Sequence, residues 1–327
     1  MEAAREGTER VDAAQAGERL DAWLAGRLEG VTRSQLTRVV TQGGVRVDGA
    51  VVTKAGLKLR TGQEVRWTLP EPASALPVAQ DLPLEVVYAD RWLAVVDKPA
   101  AMVVHPAAGH PDGTLVNALL HHLPELSDVD PQRPGIVHRL DQDTSGLLVV
   151  ARDAATHAAL GRLFQTHSIE RRYVAVVLGP RLADEGSADT FYGRHPTERL
   201  KFSGRVARGR RAVTHWRVLA RAETMALVAV RLETGRTHQI RVHLSEAGHP
   251  VVGDALYGRP LPKGGAGRAA VELAAARRMP RQALHAETLG FRHPATGETL
   301  RFRAPLPEDM AALVAQVFGP DALSGLD

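Results

Sequence analysis

Two hydrophobic periods alternate along the chain. Leu20, Trp23, Leu24 and Leu28 are spaced for one face of a helix. Thr32 stands where a second helix carrying Leu36, Val39 and Val40 needs an N-cap, and Gly43-Gly44 stops it. Val45-Arg46-Val47-Asp48-Gly49 then alternates as a strand running into a turn, and Val65 to Leu69 repeats the pattern after Gly62. These elements predict a compact module over residues 11–70, preceded by a loose tail over 1–10. Pro70, Pro72 and Pro77 predict a stiff, extended linker over 71–81.

A larger domain is expected over 82–327. Leu84 to Tyr88 and Trp92 to Asp97 read as paired strands, and Thr114 as the cap of a short helix closed by Pro124. A helix is predicted over 156–167, strands over 171–179, 227–232 and 284–286, and a last helix over 310–318. Residues 233–244 fit either a strand or a helix. Thr237 as cap, Ile240, Leu244 and Ala247 inward, and the stop Gly248-His249-Pro250 favour the helix, with Arg241 near its start. Residues 262–270 read as a Gly-rich basic loop. The mixture predicts an α+β (mixed α/β) fold in two domains.

At the centre of the larger domain, Gly135 to Asp141 approaches as an extended segment. Asp141-Gln142-Asp143-Thr144-Ser145-Gly146 has turn chemistry, and Leu147-Leu148-Val149-Val150-Ala151 leaves as a run of buried-strand length. If residues 136–141 are extended, Arg139 and Asp141 share one face. A carboxylate at the lip of a buried sheet, two residues from a cation, is a candidate for chemistry; the plainer alternative is an Asp that caps a turn.

Composition narrows the chemistry. Hydrophobic residues are 44% of the 327, aromatic ones only 4%, so Leu, Val and Ala must fill the core. Absence of cysteine excludes disulfides, thiolate metal sites and Cys nucleophiles. No apolar run reaches bilayer-spanning length, and Glu2 and Glu6 interrupt any signal-peptide pattern, so a cytoplasmic protein without membrane contact is expected. Histidines cluster near the polar motifs, yet no His-Glu-x-x-His spacing is present, and neither GxGxxG nor a Walker A loop occurs.

The net charge is +4, a weak pointer to a polyanion. Local clustering is the stronger signal. Arg33, Arg38, Arg46, Lys54, Lys58 and Arg60 thread the small module. Residues 191–220 carry Arg194, Arg199, Lys201, Arg205, Arg208, Arg210, Arg211 and Arg217 against Glu198 alone. Gly204, Gly209 and Pro196 suggest a mobile cationic loop there, suited to a nucleic-acid backbone.

Two family resemblances organise these signals. Glu18 to Leu24, Thr32 to Leu36 and Gly43 to Gly49 resemble the S4 RNA-binding domain. Gly135 to Asp141 with Asp143-Thr144-Ser145-Gly146, Arg172-Tyr173, Gly235 to His243 and Leu284-His285-Ala286 resemble the RluA family of pseudouridine synthases over about residues 82–310. The resemblance implies a largely antiparallel mixed sheet with a central cleft. It implies isomerisation of uridine to pseudouridine in 23S rRNA or a large-subunit precursor, at the helix 69 stem-loop, by a monomer that needs no cofactor. Asp141 would be the nucleophile, adding to base or sugar or assisting as a base at the sugar. Tyr173 would stack on the uracil and take the C5 proton. Arg241 would pair with Asp141, and Arg139 would enter the RNA where the base leaves its stack. Arg33, Arg38, Arg199, Lys201, Arg208, Arg210 and Arg211 are the expected RNA contacts. Gln142 stands where relatives often carry Lys and receives no role. The competing classes are a non-catalytic RNA-binding or ribosome-assembly factor and a metal-dependent RNA hydrolase.

Overall fold

The computed structural model describes residues 6–28, 31–69, 76–107, 109–130, 133–262 and 264–323, with the backbone alone at 34, 127 and 128. The chain divides into a unit over Met1–Leu76 and a second over Pro77–Asp327. Pro70 to Ala75, most of the proline-rich segment, lie outside the described residues.

The first unit holds β1 (Glu6–Arg10), α1 (Leu20–Ala25), α2 (Arg33–Thr41), β2 (Val45–Val47), β3 (Ala50–Val51) and β4 (Glu64–Thr68). The strands form an antiparallel sheet in the order β1-β4-β2-β3. Thr32 caps α2, its Oγ1 accepting the Gln35 amide. Leu20, Trp23, Leu24, Leu36 and Val40 are fully buried, and Trp23 meets Trp67 edge-on at 6.4 Å. Residues 6–10, expected as part of a loose tail, are instead a strand paired with β4 from Glu6↔Thr68 to Arg10↔Glu64. The segment EGTER has no apolar alternation of its own, and its partner strand decides its conformation.

The second unit runs β5 (Glu85–Ala89), β6 (Leu93–Lys98), α3 (Leu115–His122), β7 (Ser145–Ala151), α4 (Ala154–Gln165), β8 (Glu170–Leu178), β9 (Glu185–Arg194), β10 (Phe202–Ser203), β11 (Arg210–Arg221), β12 (Met225–Leu232), α5 (Gln239–Glu246), α6 (Gly267–Arg278), β13 (Leu284–Arg292), β14 (Thr299–Arg303) and α7 (Glu308–Phe318). One sheet has the order β10-β9-β11-β12-β8-β13-β7-β6-β5, with β14 beside β13. Only the β13–β7 pairing is parallel among the described strands. The fold is therefore α+β with a largely antiparallel sheet.

β7 is buried on both faces, which is why it reads as an unbroken apolar run. Leu148 and Val150 join the large core with α3 and α7 residues, while Leu147 and Val149 pack with Leu160 of α4 on the other side. Where β7 begins, it presses against β13. Gly146 has φ +115°, and a Cβ there would lie 2.3 Å from the Ala286 carbonyl oxygen. Gly146→Ala is expected to destabilise the second unit by at least ~3 kcal/mol, lowering its melting temperature by about 6–12 °C. A thermal melt matching wild type would contradict this close approach.

Two expectations need correction here. Residues 191–220 are not one loop: β9 and β11 pair over eight registered positions, with β10 alongside β9, and the irregular part is confined to 195–201 and 204–209, where Pro196, Gly204 and Gly209 lie. The polar sequence of β9 concealed it, because register with β11 and not its own pattern makes it a strand. The loop expected over 262–270 gives way at Gly267 to α6, whose Leu273, Ala275 and Ala276 are buried.

Candidate active site

The approach to Asp141 is irregular, not a strand; Ile136 makes an isolated bridge to Val150. Leu140 is buried and Arg139 exposed, and the His138 Nε2 accepts the Val149 amide at 3.0 Å. The Thr144 amide donates to the Asp141 carbonyl at 3.1 Å, so backbone closes the turn. The Asp143 side chain makes no hydrogen bond among the described residues; its carbonyl does.

Two buried cations clamp this turn. Lys98, at the end of β6, is fully buried and donates to the carbonyls of Pro99 (2.7 Å), Met102 (2.9 Å) and Gln142 (3.0 Å). Three carbonyls match the three hydrogens of its ammonium. Burial pushes that group down to about 7, against the pull of Asp143 and Asp141. Arg281 donates to the Asp143 carbonyl at 2.9 Å and holds Asp309 with its other nitrogens at 2.7 and 2.8 Å. The loop bearing Asp141 is thus fixed from both sides before any ligand arrives.

Asp141 does not cap its turn with its side chain. Its Oδ2 accepts from Arg241 Nη1 at 3.0 Å, across a hundred residues of sequence. Arg241 lies in the first turn of α5, 7% exposed. Its Nε and Nη2 form a fork with Asp254 at 2.7 and 2.9 Å. Asp254 is wholly buried and also accepts the amides of Leu256 and Tyr257, both at 2.9 Å. A bidentate carboxylate on one edge leaves Arg241 only its remaining edge to offer Asp141, so its aim is set by Asp254.

The helix expected around Arg241 is present, but Thr237 is not its cap. His238 occupies that position in the left-handed conformation (φ +60°) and gives no side-chain cap. The Thr237 carbonyl accepts from Tyr192 Oη at 2.7 Å instead. Gln239 anchors the start of α5 by donating to the Val213 carbonyl and Thr214 Oγ1 and accepting from Thr234 and Arg236. His243 spends both ring nitrogens on Thr214 and Thr190.

Tyr173 reaches the same place through the sheet. Ser145, His285, Val174 and Ala229 form a row across β7, β13, β8 and β12, and Tyr173 adjoins that row on β8. It is 6% exposed. Burial, and then Asp141, raise its phenol above the ordinary value, while Arg171 opposes them. The phenol is protonated at neutral pH.

The expected RNA contacts are placed unevenly. Arg139, Arg38, Arg199, Arg208 and Arg210 are exposed. Arg33, with Arg19, holds the buried Asp21 at 3.1 Å; hydrogen bonding from Arg19, then Arg33, keeps that carboxyl down at about 2. Lys201 pairs with Glu198 at 2.7 Å, and Arg211 forks onto Asp189 at 2.9 and 2.6 Å. Lys98, Asp254 and Arg281 were missed in the sequence. A lone Lys closing an apolar strand was a readable signal for the first; nothing local marks the other two.

Known proteins resemble this chain in sequence and in fold. The family model for RNA pseudouridylate synthase matches residues 92–246, and the S4 domain model residues 18–65. Ribosomal large subunit pseudouridine synthase D of Vibrio parahaemolyticus is 43% identical over 313 residues, 94% of this chain and 93% of that one. Its counterpart in Xanthomonas campestris is 46% identical over 302 residues, 92% and 89% of the two chains. Among solved structures, human RNA pseudouridylate synthase domain containing 1 superposes with a TM-score of 0.54 at 27% identity, covering 76% of this chain and 91% of that one. A second human protein, RNA pseudouridylate synthase domain containing 4, gives 0.55 at 26% over 71% and 92%. The chain belongs to the RNA pseudouridine synthases, isomerases of uridine in RNA, and carries an S4 domain at its N-terminal end.

Proposed function

We propose that the chain converts specific uridines of large-subunit ribosomal RNA to pseudouridine, with Asp141 as the nucleophile. The observation that carries this is the Arg241–Asp141 contact at 3.0 Å, aimed by buried Asp254, with the Asp141 charge bearing on the buried phenol of Tyr173. The names of the relatives specify the large ribosomal subunit, which supports rRNA as the substrate. The finer target is the helix 69 stem-loop, and the working form a cytoplasmic monomer.

Arg241 holds and aims the carboxylate in a partly dry site. Asp141 adds as the C1′–N1 bond opens, uracil turns, C5 joins C1′ and the bond to Asp141 breaks, releasing the carboxylate, while the C5 hydrogen leaves and N1 gains one. No atoms are gained or lost, so the chemistry requires no redox or group-carrying cofactor. Tyr173, held as a phenol by burial, serves best as the surface on which uracil stacks. Arg139, exposed two residues from Asp141, fits the space the extruded base leaves, at a cost of a few kcal/mol for unstacking. Arg38, Arg199, Arg208 and Arg210 meet phosphates directly, while Arg33, Lys201 and Arg211 do so from existing ion pairs.

Because C5 loses its hydrogen, rRNA tritiated at uridine C5 releases tritium to water when wild-type protein acts on it. No release from unmodified large-subunit rRNA would overturn the proposal. Deleting residues 1–75 is expected to weaken rRNA binding and flatten its salt dependence. A filter-binding salt series with an unchanged slope would remove the small unit from phosphate contact.

A further inference from the structure

His238 stands three residues before Arg241, and its Nδ1 lies 2.9 Å from Tyr257 Oη. The same oxygen accepts the Phe202 amide N–H at 2.9 Å. An amide can only donate there, so the single hydroxyl hydrogen of Tyr257 still needs an acceptor. Tyr257 is 9% exposed, and His238 Nδ1 is the acceptor its hydroxyl meets among the described residues. Donation to Nδ1 satisfies all three groups; the opposite assignment strands a buried hydroxyl hydrogen. A neutral ring that accepts at Nδ1 carries its hydrogen on Nε2.

That Nε2 bonds no protein group among the described residues and is not sealed from solvent. The charges that face the ring are Asp141, Arg241, Asp254 and Arg139, which places it on the wall of the candidate active site. Phe202 and Tyr257 pack edge-on against it at 5.7 and 5.5 Å. Burial lowers its pKa below the usual histidine value, so the ring is neutral at physiological pH. Asp254 supports this arrangement too, because it binds the Tyr257 amide as well as Arg241.

We propose that His238 donates a hydrogen bond from a neutral Nε2–H to a carbonyl oxygen of the uracil held against Asp141, an inference that rests on the pseudouridine-synthase reading of the site. A neutral donor suits a neutral carbonyl and adds no second cation to compete with Arg241 for the carboxylate. The symmetry of uracil makes such a donor useful. Turning the ring about its N3–C6 axis exchanges N1 with C5 and also O2 with O4. One fixed donor therefore finds a carbonyl in the same place before and after the turn.

The test pairs kinetics with spectroscopy on the full chain. Single-turnover conversion of unmodified large-subunit rRNA is expected to fall about 10–100-fold in His238→Phe, with RNA affinity within about threefold of wild type. His238→Gln, which keeps an N–H donor, should recover part of the loss, and Tyr257→Phe should fall between the two. The imidazole nitrogen shifts of His238, assigned by difference from His238→Gln, should show Nδ1 bare and Nε2 protonated in wild type and a tautomer mixture in Tyr257→Phe. A protonated Nδ1 in wild type, or a His238→Phe enzyme at full rate, overturns the proposal. Loss of affinity and salt slope without loss of rate makes His238 a phosphate contact and overturns it also. Wild-type protein that forms no pseudouridine overturns the enzyme reading, and this role with it.

Discussion

Asp141→Asn is expected to abolish pseudouridine formation, by at least ~10⁴-fold in single-turnover rate, while binding rRNA within a few-fold of wild type. The amide keeps the size of the carboxylate and can still accept from Arg241, so the loop held by Lys98 and Arg281 has no reason to move. What is lost is the charged oxygen proposed to attack. RNA affinity is expected to reside mostly in cation–phosphate contacts spread over the surface, away from Asp141. Filter binding and conversion assays on the same preparation separate the two effects. Wild-type rates in Asp141→Asn would remove Asp141 as nucleophile, and loss of binding alone would make it a binding residue.

Asp254→Ala is expected to lose both stability and activity. Asp254 accepts four hydrogen bonds, two from Arg241 and two from backbone amides, and its side chain is wholly buried. Removing it leaves a guanidinium in the interior with one carboxylate contact instead of three bonds, a loss of about 3–5 kcal/mol. Activity should fall further than unfolding explains, because Arg241 loses the fork that aims it. Asp254→Asn, retaining shape and one acceptor, should sit between.

The pH dependence of stability separates these variants. Burial pushes the Asp254 carboxyl up, but hydrogen bonds and charge from Arg241 and the Tyr257 and Leu256 amides hold it below the ordinary value. A depressed folded pKa adds stability that is fully present above the unfolded value, about 3.9, and is lost as pH falls through the folded one. Acid unfolding below about pH 4 should therefore be steeper in wild type than in Asp254→Asn. Equal acid limbs in the two melts would show that Asp254 is not held ionised by Arg241.

Much of this fold follows from local pattern. β7 is legible because both its faces are buried, α2 because Thr32 caps it, and the end of α5 because Gly248 takes a φ of +88°. Strands β1 and β9 were not legible, because each takes its conformation from register with a partner strand and not from its own apolar pattern. The site divides in the same way. Asp141, Tyr173 and Arg241 stand in motifs whose polarity breaks apolar runs. Lys98 and Arg281 act on the backbone carbonyls of Gln142 and Asp143, and Asp254 acts on Arg241 from a turn with no helix or strand pattern. Contacts of that kind leave no periodicity in the sequence.

The turn that opened the question has changed its meaning. An Arg and an Asp sharing one face of an extended segment became an exposed Arg139 and an Asp141 turned inward to Arg241, with backbone closing the turn that follows Asp141. The most direct measurement is a pseudouridine map of rRNA from cells lacking this gene, complemented with wild-type protein or with Asp141→Asn. Specific large-subunit uridines should be unmodified in the deletion strain, restored by wild type and left unmodified by Asp141→Asn. An unaltered map in the deletion strain, or restoration by Asp141→Asn, would contradict an aspartate-dependent rRNA pseudouridine synthase.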